Sequence, residues 1–235
     1  MYKIYNIPFK IEKEGIHLSI EKEADIYLYR REIPDENEEK VLLSSDSKIL
    51  INPIEPLNKP KDITPYLLIE FEKPLVVEPR VTKNIFIKFP IEIGVFISAN
   101  RNFEILDVLA LAGQKYTLYG DSRNGLICKY WKSGVYSSIP TANPIYEGVA
   151  EVSVTNATNY WVEVTKAVFN AYDMKIYYDD DMVSMKAKMK ILGEEMAETD
   201  FVDQPLKEGM KKSLEIYRTK KISVIGPKFM MEGGL

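Results

Sequence analysis

With 235 residues, 46% of them hydrophobic and 28% charged, the chain can form one large β domain or two small ones, and disorder is excluded as its main state. A formal net charge of −4 argues against general binding of nucleic acid or a membrane surface by the whole molecule. Cys128 is the single cysteine, which excludes an intramolecular disulfide and a cysteine-built zinc site.

No run reaches the roughly 18 apolar residues of a membrane-spanning helix, and the N-terminus lacks the apolar core of a secretory signal. The expectation is a cytoplasmic protein without membrane insertion. Gln114 and Gln204 are the only glutamines, while Lys, Glu and Ile abound, a bias associated with hot environments.

Tyr2–Tyr5, Phe9–Ile11, Ile16–Ile20 and Asp25–Arg30 alternate apolar and polar residues and read as half-buried strands, with Glu14-Gly15 as a turn. Residues 34–39, PDENEE, read as a solvated acidic loop. The three prolines Pro53, Pro56 and Pro60 mark an extended connection. Tyr66–Phe71 is a strand before Pro74–Pro79, and Asn84–Ile97 is a pair of strands divided at Pro90. In Glu104–Leu111 a helical face and a strand face compete. The short length favours a strand, with Asp107 the misfit on its apolar side.

Lys115–Tyr136 is the most legible stretch. Two aromatic-rich runs flank Asp121–Gly125, a cluster of turn formers, and predict a hairpin. An odd-length loop would pair Gly120 with Leu126, Leu118 with Cys128 and Tyr116 with Tyr130 on one apolar face. Lys115, Tyr119, Arg123, Lys129 and Trp131 would then remain as a surface for an anionic or planar ligand such as a glycan, nucleotide or single-stranded RNA, with Lys115 stacked on Trp131. An even loop would invert that assignment.

Gly148–Asn156 and Tyr160–Phe169 are two further strands. The triplet Asn156-Ala157-Thr158 between them matches a glycosylation acceptor but reads as a turn. Asp179, Asp180 and Asp181 form the best metal candidate by composition, against a plain acidic hairpin tip. Met182–Leu192 alternates cleanly and predicts an antiparallel strand with a lysine-studded wet face. Glu194–Glu198 reads as a helical turn, Ser213–Lys220 and Lys228–Met231 as closing strands, and Gly233–Leu235 as a frayed end.

No phosphate loop, dinucleotide fingerprint, nucleophile elbow or zinc-protease motif occurs, and the single histidine, His17, sits in a strand. No catalytic set and no cofactor are therefore expected. The reading is an all-β, antiparallel β-sandwich, with one large or two packed lobes and little helix. It forms a single unit over 1–235 that can subdivide near 112 into N-terminal and C-terminal β-lobes. Its expected role is a non-catalytic protein-interaction or structural module, partnered by a second copy or another protein; the alternatives are a ligand-binding module on the 115–132 hairpin and an enzyme with an acidic metal site at Asp179–Asp181. Nucleic-acid binding is disfavoured.

On KFPIEIGVF (88–96), KYTLYG (115–120), RNGLICKYWKS (123–133) and MKIYYD (174–179), the chain resembles an archaeal family catalogued as a domain of unknown function. The likeness runs over nearly the full length. It implies an archaeal, cytoplasmic protein and one family unit, and lends no catalytic residue to any position.

Overall fold

Runs of β-branched and aromatic residues broken by Gly, Pro, Asn and Asp favour strands over helices throughout. A computed structural model describes residues 1–34, 36–43, 47–99, 102–217 and 228–235. Its first strands are β1 (Lys3–Asn6), β2 (Phe9–Lys13), β3 (Ile16–Glu23), β4 (Ile26–Ile33), β5 (Glu36–Leu42) and β6 (Lys48–Ile54). Then come β7 (Tyr66–Val77), β8 (Thr82–Pro90), β9 (Glu92–Ala99), β10 (Asn102–Leu109), β11 (Tyr116–Tyr119) and β12 (Leu126–Ser133). The last are β13 (Glu147–Asn156), β14 (Val162–Asn170), β15 (Tyr177–Tyr178), β16 (Val183–Gly193), β17 (Met196–Val202), β18 (Lys211–Lys212) and β19 (Phe229–Glu232). Among the described residues the helical content is one 3-10 turn, Ala171–Asp173. The protein is all-β.

The chain divides into two compact units, Met1–Asn52 with Ile93–Val108, and Pro53–Glu92 with Leu109–Leu235. The first is built mainly of two four-stranded sheets, β1-β6-β9-β10 and β2-β3-β4-β5. Ile16, Leu18, Ile20, Ile49, Ile51 and Phe96 fill its core. Across that core the Tyr29 hydroxyl and the Arg31 Nε of β4 both donate to Asp107 Oδ2 on β10, at 2.8 and 2.6 Å. Asp107, the misfit of the strand pattern, is thus on the inner face because a buried guanidinium meets it there. Glu104–Leu111 is strand for most of its length, as its brevity suggested.

The acidic segment after Pro34 is a correction: residues 36–42 form edge strand β5, antiparallel to β4. Counting apolar groups missed it because its register partners are charges. Arg30 faces Glu39 at 3.2 Å, and Arg31 reaches Glu36 at 3.0 Å. Opposite charges directly across an antiparallel pair stabilise a strand that needs no burial of its own. Asp35 lies outside the described residues.

In the second unit one sheet runs β11-β12-β7-β14. The other follows β18-β15-β16-β13-β8, with β17 also on β16 and β19 on β17. The outer edge of β14 is covered by side chains of the second sheet. Thr199 Oγ1 donates to the Val168 carbonyl at 2.7 Å, and the Val168 amide donates to Met231 Sδ at 3.4 Å. β7 runs through Pro74 as one strand instead of stopping before it, whereas Pro90 does end β8. The alternation of β16 holds, with Met185, Ala187, Met189 and Ile191 inside. Its pairing is mixed, however: parallel to β13 on one side and antiparallel to β17 on the other.

Three smaller expectations are corrected. Glu194-Glu195 is a two-residue hairpin turn between β16 and β17, not a helical turn, because Gly193 and Met196 are already paired. Ser213–Tyr217 leaves the sheet after β18. Tyr217 instead stacks on Tyr172, centroids 4.2 Å apart, and donates to Asn58 Oδ1 at 2.9 Å. Residues 218–220 of that expected strand lie outside the described residues. Gly233–Leu235 is pinned, not frayed: Gly233 and Gly234 donate to the Glu195 carbonyl, and Thr165 donates to the Leu235 carbonyl.

The Asn156 triplet is a structural corner where the chain passes from β13 to β14. Asn156 is fully buried; its amide donates to the Val77 and Tyr160 carbonyls and its Oδ1 accepts from the Thr158 amide and hydroxyl. Asn156→Ala would strand two carbonyls and two donors, for an expected loss of about 2 kcal/mol in urea unfolding.

Candidate functional site

The 115–133 hairpin forms, but with an even loop. Gly120–Gly125 separates β11 from β12, and the register is Tyr119 with Leu126, Leu118 with Ile127, Thr117 with Cys128 and Tyr116 with Lys129. Asp121 sets this geometry: its Oδ1 accepts the Arg123 and Asn124 amides at 2.6 and 3.0 Å, and its carbonyl accepts the Gly125 amide at 2.8 Å. Those amides hold the Asp121 carboxylate below its ordinary range. A Cβ on Gly125 would sit 2.4 Å from the Asp121 carbonyl, so only glycine closes the loop.

The inverted register redistributes the expected surface. Tyr119 is buried, its hydroxyl donating to the Gly234 carbonyl at 3.0 Å, and it stacks with Lys166 instead. Lys129 is buried as well. Arg123 goes out to the loop tip. Lys115 lies opposite Tyr130, whose amide donates to its carbonyl at 2.8 Å, and not opposite Trp131. Cys128 is buried on the face it shares with Tyr119, and burial pushes its thiol up to about 12. It is no nucleophile at neutral pH.

What the hairpin retains is a cavity of about 260 Å³ lined by Gly113, Lys115, Tyr130, Trp131 and Lys132. Two lysines, one phenol ring and one indole share it. The Trp131 Nε1–H is buried without a hydrogen-bond partner among the described residues. Lys132 and Tyr130 were not in the expected surface, because alternation along β12 sets their side chains on the face opposite Trp131.

Lys129 belongs to a buried polar group that no sequence spacing reveals. Its Nζ donates to Glu92 Oε1 at 3.0 Å, and Glu92 also accepts the Asn58 amide at 2.8 Å and the Lys59 amide at 3.4 Å. Burial pulls the Lys129 ammonium down, and the Glu92 carboxylate opposes that shift. Nearby, Glu55 is 2% exposed, its Oε2 has no partner among the described residues, and burial raises its carboxyl to about 8. With every Glu92 oxygen satisfied by loop amides and Lys129, the pair serves as a clip for the 58–59 loop and not as a reactive dyad.

The aspartate triplet does not converge. Asp179 Oδ1 accepts the Asp181 and Met182 amides at 2.9 and 2.8 Å, an Asx-type turn leading into β16. Among the described residues no three His, Cys, Asp or Glu side chains are placed to hold a metal ion. His17 stands on an exposed face with its Nδ1 3.8 Å from Glu12. No helix among the described residues is long and apolar enough to cross a membrane.

No curated protein and no solved structure matches the chain. A family model described as "Protein of unknown function (DUF432)" matches residues 1–232, which takes in both units and the whole hairpin, and the chain therefore belongs to that family.

Proposed function

We propose that the protein is a non-catalytic ligand-binding β module whose site is the hairpin cavity at Lys115, Tyr130, Trp131 and Lys132, and whose ligand is a small planar anion of the nucleotide kind. One observation carries this reading: Tyr130 and Trp131 line a cavity of about 260 Å³ together with two exposed lysines, Lys115 and Lys132. The rings offer stacking, and the ammonium groups offer charge neutralisation.

The test is a fluorescence titration with adenosine monophosphate at low salt in a Trp161→Phe background, which leaves Trp131 as the sole indole. Saturable quenching is expected, weakened about tenfold by Lys115→Ala or by added salt within the usual screening range. No saturable change at millimolar ligand would refute the reading.

A second reading, a protein-interaction module, is favoured by Tyr160 and Trp161. Trp161 is 62% exposed and immediately precedes β14, near the end where Val162 pairs with Val77 of β7. Large aromatics of this kind anchor protein interfaces. Light scattering of wild type and Trp161→Ser over a concentration series distinguishes self-association from a monomer.

A further inference from the structure

The outer face of the β13-β16-β17 sheet carries an arrangement independent of the hairpin. Register places Ser153, Lys188 and Asp200 in one row, and Thr155, Lys190 and Glu198 in the next. Cross-strand logic would pair each lysine with the carboxylate beside it. It does not happen. Glu198 is taken by Lys228 at 3.5 Å, and Asp200 Oδ1 accepts the Phe201 amide at 2.8 Å. Lys186, one row further along β16, is held by Glu151 at 3.1 Å. Lys188 and Lys190 are exposed and have no carboxylate within 4.0 Å among the described residues.

Lys188 and Lys190 line a cavity of about 380 Å³ together with Ser153, Thr155, Met189, Glu198, Asp200 and Lys228. Residues two apart on a strand lie about 7 Å apart on one face, so two long lysine side chains can meet on one tetrahedral anion. The Ser153 and Thr155 hydroxyls, one strand over, supply neutral donors of the right reach. Glu198 and Asp200 close the β17 side with negative charge. That border admits one compact dianion and repels a second phosphate, which argues against a nucleic-acid backbone.

We propose that this cavity binds a single phosphate-type oxyanion, as inorganic phosphate or as the phosphomonoester of a small molecule, held by Lys188 and Lys190 with Ser153 and Thr155. The site is separate from the hairpin cavity and stands whether or not that cavity binds a ligand.

The experiment is calorimetry on the full chain at low ionic strength with three probes: inorganic phosphate, glycerol phosphate and acetate. Saturable binding of one phosphate probe or both, about tenfold tighter than acetate, is expected for a dianion between two cations, and the stronger probe identifies the source. Lys188→Met/Lys190→Met should lose that binding, while Lys186→Met on the same strand keeps it. Amide shifts in the wild-type protein should move at Ser153 and Lys188–Lys190, a readout that needs no variant to fold. Absence of saturable heat, equal loss in Lys186→Met, or shifts confined to Trp131 and its neighbours would each overturn the proposal.

Discussion

Glu92→Ala is expected to cost about 3–5 kcal/mol of folding stability, because it leaves the Lys129 ammonium buried without its counter-charge. Lys129 is 2% exposed, on a strand held by register pairs to β11 and β7 on either side. The same substitution strips the Asn58 and Lys59 amides of their acceptor, so the 57–60 loop loosens with it. Lys129→Met is expected to cost less. The surviving Glu92 carboxyl keeps its two amide donors, and the methionine stem replaces most of the lysine's packing. The double variant should therefore be less destabilised than the sum of the singles, with a coupling of at least about 1 kcal/mol in a double-mutant cycle read by urea unfolding at neutral pH. Strict additivity would show that the clip does not act as a pair.

Glu55→Gln is expected to flatten the pH dependence of stability between about pH 4.5 and pH 8. The folded carboxyl titrates near 8 against 4.5 in the unfolded chain, because burial disfavours its charged form. A raised carboxyl pKa means that the folded state holds its proton after the unfolded chain has released one. The stability is therefore fully present below 4.5 and declines as pH rises towards 8. The slope is about 1.4 kcal/mol per pH unit, or about 4–5 kcal/mol across the window. Glutamine mimics the protonated side chain and does not titrate, so the gap between variant and wild type should open over that interval and level off above it. Urea unfolding at pH 5, 6.5 and 8 reads the gap directly. Parallel curves would show that Glu55 ionises freely in the folded state.

Both experiments probe groups whose partners are far apart in sequence, and this separation marks what was legible. The strand inventory could be read from local pattern: Ile16–Ile20, Asp25–Arg30, the break at Pro90 and the alternation of β16 all appear where period and punctuation placed them. Local pattern failed where charge replaced burial, as in β5, whose glutamates belong to a strand only because Arg30 and Arg31 lie opposite. It failed again at the hairpin loop. A side-chain acceptor, Asp121, lengthened the turn to an even count and moved Tyr119 onto the buried face of Cys128, while Lys129 is buried against Glu92. Of the five residues expected to form a surface, Lys115 and Trp131 remain together in a cavity, and Tyr130 and Lys132 join them.

The sequence by itself determined that this chain is all-β, that its apolar residues fall on the period of a strand, and that Cys128 has no cysteine to bridge to. Those properties follow from side-chain periodicity, turn chemistry and composition, which are local. Only the tertiary structure decided which charges are buried and which are free. Asp107 meets Arg31 across 76 residues, and Glu92 meets Lys129 across 37. Among the described residues, Lys188 and Lys190 have no carboxylate within 4.0 Å although Asp200 and Glu198 are their register partners. The Coulomb energy of a charge depends on its distance to every other charge and on its exposure to water, and neither quantity exists until the chain has folded.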